Sequence, residues 1–219
     1  MTVPDESQKY LKEFLQFTKN TLDYTPVILG GWAVYAYTKK QKSVDVDVLL
    51  KHKRDIIKLK PFFLERNFIY EEDRHGNVTF ERETEKHDYK GIILESIIFD
   101  LMLLDEPNNL HSNKNISVPW QLCYEFNQKV KHENQEMLAP TKELLLILKT
   151  KALLDRQYDK IKLHNFANKQ WLRRKDFKID KDKQDIKDII ETGINQEDLE
   201  KILDKTNFKK TFLEQIHEQ

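Results

Sequence analysis

Only five glycines occur in the 219 residues of this chain, and two of them, Gly30 and Gly31, are adjacent. Glycine loses the most conformational freedom on folding and enters left-handed backbone without strain, so a Gly-Gly pair tends to end one element and begin another. Before the pair stand Pro26 and the apolar run Val27-Ile28-Leu29, which reads as a short strand. After it, Trp32 to Tyr37 is apolar and aromatic and reads as a short helix. Residues 44–50, VDVDVLL, alternate strictly at first, which is the period of a half-buried strand. A strand that breaks at glycine into a helix and is followed by a second strand points to the mixed α/β classes.

Asp45 and Asp47 fall two apart in that second strand. Side chains at i and i+2 share a face, so both carboxylates point the same way while Val44, Val46 and Val48 point to the core. Close carboxylates repel one another, and a divalent cation between them reverses the sign. Mg²⁺ takes oxygen ligands and is usually held by a few carboxylates together with substrate phosphates. On its own, Asp-Val-Asp is more often an exposed strand face carrying two solvated acids. The upstream glycines shift that balance. They let backbone approach a ligand closely, and the helix N-terminus offers N–H groups and positive dipole to a phosphate. A further acid, Asp100, is set inside the apolar run IIFDLMLL. A carboxylate there is costly without a partner or a cation, unless it is a strand-end acid facing water. Glu95 is the fallback for the same role.

Elsewhere, Leu11, Phe14, Leu15, Thr18 and Leu22 recur at helical spacing and predict an amphipathic helix over 7–23. Residues 54–67 also read as helix, with Pro61 kinking it or opening its second piece. From 68 to 104 the chain is rich in β-branched and aromatic residues. Strands are expected in FIYEED, NVTFER and IIFDLMLL, with a turn at His75-Gly76-Asn77. Residues 105–115 read as loop. Beyond Pro140 the pattern is helical to the end, beginning with Thr141 as N-cap and continuing with helices at 182–192, 196–204 and 207–217. The expected fold is α/β (α+β): a mixed β-sheet flanked by helices in residues 1–118, then a C-terminal helical bundle in 119–219.

Lys and Arg total 37, as do Asp and Glu, so the chain as a whole is no polycation and any attraction for nucleic acid must be local. The single cysteine, Cys123, can form no intramolecular disulfide and reads as a buried thiol in a reducing cytoplasm. The polar, acidic start is unlike a signal peptide, and no apolar run approaches the roughly 20 residues that cross a bilayer. A cytoplasmic location and no membrane partner are therefore expected. The histidines are scattered, without zinc-ligand spacing.

The segment from Leu29 to Asp47 resembles the signature of the nucleotidyltransferase superfamily, the DNA polymerase β-like group. That signature is a hydrophobic residue, Gly-Gly or Gly-Ser, a spacer of this order, then Asp-hydrophobic-Asp/Glu; here thirteen residues separate Gly31 from Asp45. Lys42-Ser43 looks like the basic-plus-hydroxyl pair common there, and GGWAV is similar to the aminoglycoside-type branch. The helical half resembles the C-terminal motif of bacterial and archaeal nucleotidyltransferases related to abortive-infection toxins. The matching positions are Pro140, Lys149, Ala152, Arg156, Lys181, Asp182, Asp185 and Ile186.

The resemblance implies a nucleotidyltransferase-like sheet and transfer of a nucleoside monophosphate from an NTP such as ATP to an acceptor, with Mg²⁺ or Mn²⁺ and release of pyrophosphate. It implies Asp45, Asp47 and Asp100 as catalytic metal ligands, and Gly30, Gly31 and Ser43 on the nucleotide. Lys149 and Arg156 would hold its phosphates. The acceptor stays open between tRNA or another RNA end, a small-molecule hydroxyl and a protein side chain. A toxin–antitoxin component working through a protein partner, or an inactive nucleotide-binding module, are the alternatives; the intact acid pair argues against the inactive one.

Lys149 and Arg156 are seven apart and share a helix face, which suits phosphate binding and equally suits an Arg–Asp pair to the next helix. The run from Lys149 to Lys183 gathers twelve basic residues against five acidic ones, so the remainder of the chain is net acidic. Tyr158, Phe166, Trp171 and Phe177 are interleaved with these cations. Such a mixture can bind single-stranded RNA, although aromatics in a charged helix more often face the core.

Overall fold

The computed structural model describes residues 2–73, 76–88, 91–133, 135–164 and 166–217. His75 of the expected turn lies outside the described residues. Helix α1 (Val3–Thr21) opens on a capping box in which Thr2 Oγ1 accepts from the Asp5 N–H and the Asp5 carboxylate accepts from the Thr2 N–H. It therefore starts ahead of residue 7, in a polar stretch that apolar periodicity does not mark. Then follow β1 (Val27–Ile28), α2 (Gly30–Thr38), β2 (Val46–Leu50), α3 (Lys53–Leu64), β3 (Ile69–Glu72), β4 (Val78–Asp88) and β5 (Gly91–Leu103). Pro61 is accommodated inside α3. Next come α4 (Leu122–Glu125), β6 (Asn127–His132) and β7 (Gln135–Pro140). The chain ends in α5 (Lys142–Leu163), α6 (Lys169–Glu191), α7 (Gln196–Leu203) and α8 (Lys209–His217).

The fold is mixed α/β. Among the described residues, seven strands form one sheet in the order β3-β4-β5-β2-β1-β7-β6. β2 runs parallel to β5, and β1 runs parallel to β7; the other neighbours are antiparallel. The chain divides into two compact units, residues 1–106 with 127–140, and residues 107–126 with 141–219.

In the sheet unit the core is aromatic. Phe63 of α3 stacks on Phe80 of β4 with ring centroids 4.0 Å apart, and Phe14 of α1 meets Phe99 of β5 at 5.4 Å. Val46 and Val48 are in register with Phe99 and Leu101, and all four are fully or almost fully buried. One face of β2 and β5 is thus given to the core under α1 and α3. Strand alternation turns the residues between them, Asp47 and Asp100, to the opposite face.

In the helical unit, α5 begins at the N-cap Thr141, whose side chain accepts from the Leu144 N–H. Leu144, Ile147 and Leu153 of α5, Ile186 and Ile189 of α6, Ile202 of α7 and Phe208 and Phe212 are buried. Cys123 is buried too, and desolvation pushes its thiol well above the ordinary range. Among the described residues no helix is long and apolar enough to cross a membrane.

Candidate functional site

β1 and β2 pair antiparallel through Val27–Leu49 and Ile28–Val48, and the Leu29 N–H donates to the Asp47 carbonyl at 2.8 Å. That register brings the break at Gly30 level with Asp47. Gly30 has φ +59°, in the left-handed region. A Cβ built on it would lie 1.7 Å from Asp47 Oδ2 and 2.7 Å from its Cγ. Gly30 is therefore required twice over, by backbone conformation and by the carboxylate resting against its backbone. Gly31 follows, buried, in the first turn of α2. Leu29 supplies no side-chain cap and the first turn carries no acid; the first N–H groups of a helix have no partner within the helix itself.

On the other side, Asp47 is the register partner of Asp100 on the parallel strand β5. Paired residues of neighbouring strands share a face, and the strands lie about 4.8 Å apart. Thr79 of β4 is in register with Asp100 in turn. Thr79, Asp100 and Asp47 form a row across three strands, each half-buried. Glu95 is five positions back along β5 and on the opposite pleat, in register with Thr84. It cannot substitute for Asp100 at this place.

Asp45 is placed differently from the expectation of a continuous strand over 44–50. β2 starts at Val46, and Asp45 lies on a bend just ahead of it, half-buried. The reason is visible one residue earlier. The Val44 carbonyl accepts a 2.6 Å hydrogen bond from Ser7 Oγ of α1 instead of joining the ladder. Ser7, fully buried, also accepts from Trp32 Nε1 at 3.3 Å. One hydroxyl thus joins α1, α2 and the approach to β2. Ser43 is buried in that approach. Lys42 pairs with Asp5 at 2.6 Å; Lys42 together with the Thr2 cap holds the Asp5 carboxyl down at about 2.

Trp32 is held from its other side by His132 of β6, with ring centroids 5.2 Å apart and edge-on. His132 is fully buried, and its Nε2 lies 3.2 Å from Gln8 Nε2. Desolvation lowers its pKa to about 4, so the ring is neutral. Sequence reasoning found neither Ser7 nor His132. The capping box at Thr2 and Asp5 was the usable signal for Ser7, because it puts that residue on the first inward turn of α1. His132 had none, because Trp32 and Gln8, which it meets, are 100 and 124 residues away in the sequence.

Among the described residues no group of three or more His, Cys, Asp or Glu is placed to hold a metal by itself. Asp47 and Asp100 offer hard oxygen donors on one face, beside the glycine cradle. Mg²⁺ takes one or two carboxylates and completes its shell with substrate phosphates and water, so a two-carboxylate platform fits that ion.

The predicted phosphate holders lie in the helical unit, facing α6. Lys149 is 2.6 Å from Asp185 and 3.3 Å from Asp182, and Arg156 also pairs with Asp182. Lys149 and both acids are buried. Farther along the same helix pair, Lys175 meets Asp159 at 3.0 Å and Lys160 meets Asp176. Basic and acidic partners alternate between α5 and α6 as in an antiparallel ladder.

No family model and no curated protein sequence matches the chain. Among solved structures, it is similar to the antibiotic-resistance factor ANT(2'')-Ia, at 12% identity and a TM-score of 0.47 over 98% of this chain and 97% of that one.

Proposed function

We propose that the chain is a divalent-metal-dependent nucleotidyltransferase whose site is built on Asp47, Asp100 and the Gly30-Gly31 turn. The observation that carries this is the register: two acids side by side on parallel strands, with a left-handed glycine packed onto one of them. Asp47 and Asp100 would hold Mg²⁺ or Mn²⁺, with Asp45 joining from the bend ahead of β2. The metal, when bound, neutralises charge on the triphosphate and on the leaving pyrophosphate. The N–H groups at the start of α2 orient the phosphates. An acceptor hydroxyl oxygen attacks the α-phosphorus, the bond from that phosphorus to the bridging oxygen breaks, and pyrophosphate leaves. The Asp100 carboxylate takes the hydroxyl proton and passes it to water. Positioning and charge neutralisation do most of the work in such a transfer.

Roles for Lys149 and Arg156 on nucleotide phosphates, and for Ser43 on the nucleotide, belong to the same proposal. For the two cations that role competes with their pairs to Asp182 and Asp185. The acceptor is an RNA end, a small-molecule hydroxyl or a protein side chain, and the reaction is placed in the cytoplasm.

The test is incubation with each of the four α-labelled NTPs and Mg²⁺, with total tRNA, hydroxyl-bearing small molecules and protein offered as acceptors. Label transfer with matching pyrophosphate release is expected, falling at least about a thousandfold in Asp47→Asn. The melting temperature of that variant should stay close to that of the parent. Undiminished transfer by Asp47→Asn would remove the site.

A further inference from the structure

The aromatics interleaved with the basic run of the helical unit do not all face its core. Phe166 is 87% exposed and Phe177 is 65% exposed. α6 buries Ile179, Asp182, Ile186 and Ile189, a stripe at helical spacing. Its outward side therefore carries Lys169, Arg173, Phe177, Asp180 and Gln184, one turn after another. Lys169, Arg173, Phe177, Asp180 and Gln184 are all exposed.

The electrostatics of this surface follow from the ion pairs beneath it. Of the five acids between Lys149 and Lys183, four are in pairs: Asp155 with Lys151, Asp159 with Lys175, Asp176 with Lys160, and Asp182 with Lys149 and Arg156. The acidic charge of the run is thereby largely neutralised within the helix pair. Lys162, Lys169, Arg173, Arg174 and Lys183 stand exposed, against Asp180 as the exposed acid of the same run. A net cationic surface with two solvent-facing rings results.

We propose that the outward face of α6, together with Phe166 just ahead of it, binds single-stranded nucleic acid. Phosphates match the exposed cations, and unpaired bases match exposed flat rings. Stacking on such rings tolerates any sequence because every base has a π-face. A bilayer surface fits less well, since it asks for a contiguous apolar strip. The positions one turn either side of Phe177 are Arg173 and Asp180. An acidic peptide would match the cations but leave the rings unused. The inference is independent of the nucleotidyl-transfer reading and of whether the strand bound is also the acceptor.

The experiment is fluorescence anisotropy of the full chain with labelled oligo(U) and oligo(dT). Polyglutamate and vesicles of phosphatidylcholine, with and without phosphatidylglycerol, run in parallel. Oligonucleotide binding is expected, and a comparison of the two oligomers separates RNA from DNA as the source. Phe177→Ala should weaken it by roughly tenfold, and Phe166→Ala similarly. Arg173→Gln with Arg174→Gln should lower the slope of log affinity against log salt by about 1.4, or 0.7 for each phosphate contact on a single strand. All four positions are exposed, and circular dichroism melts should be unchanged. Absence of oligonucleotide binding overturns the proposal, as do vesicle or polyglutamate binding of equal strength and variants in which loss of both rings leaves affinity unaltered.

Discussion

The two units of this chain treat the same chemistry in opposite ways. In the helical unit, Asp182 and Asp185 are almost completely buried and are matched by Lys149 and Arg156. In the sheet unit, Asp47 and Asp100 lie side by side, half-buried, with glycine backbone where a larger residue would fill the space. A buried ion pair fixes how α5 meets α6, and removing one partner leaves an uncompensated charge in a poor solvent for it. Half-buried acids keep a side that faces water, from which a cation can reach them. Stability and chemistry should therefore separate on mutation of the two acid sets.

The largest effect on folding is expected at the closed set. Lys149→Ala removes the cation that the buried Asp185 pairs with and should cost about 3–5 kcal/mol in chemical denaturation. A loss below ~1 kcal/mol would show that the ladder is not what holds α5 to α6. The next effect is a pH dependence in the sheet unit. His132 has a folded pKa of about 4 against an unfolded value near 6.5, so the unfolded chain binds more protons between those values. Its contribution is present above the unfolded pKa and is lost as pH falls from about 6.5 to 4, by about 3 kcal/mol in all. His132→Gln should flatten that part of a stability–pH curve; an unchanged curve would mean that the ring is not buried neutral. The smallest effect is expected at Gly30→Ala, about 1–3 kcal/mol from the left-handed backbone alone. There the two behaviours should couple, because the new Cβ displaces the Asp47 carboxylate, so transfer activity should fall with stability. Unimpaired transfer by that variant would separate the glycine from the site.

Much of this contrast could be read before the structure. Gly30-Gly31 reads as the break between a strand and a helix, Asp47 lies on a strand-period alternation, and Asp100 stands out as an acid inside an apolar run. β2 starts two residues later than the alternation from Val44 implies, which leaves Asp45 ahead of the strand; Ser7 takes the Val44 carbonyl, a contact 37 residues distant. β6 and β7 were not legible. β6 reads NQKVKH, an edge strand with Gln128, Lys129 and Lys131 open to water and Val130 as its one buried apolar residue. Its place is fixed by non-local pairing, β6 with β7 and β7 with β1. The first half of α6 was hidden for a related reason: before Ile179 it buries no residue, and it meets α5 through Lys175 and Asp176, which pair with Asp159 and Lys160.

The central claim is that Asp47 and Asp100 form one cation platform beside the glycine turn. Isothermal titration calorimetry of ATP binding, with Mn²⁺ and with EDTA, tests it most directly. The parent chain should bind ATP at least about tenfold more tightly with the metal, and Asp47→Asn and Asp100→Asn should each erase that difference while leaving the melting curve in place. Metal-independent binding by the parent, or full metal enhancement in both variants, would contradict the account.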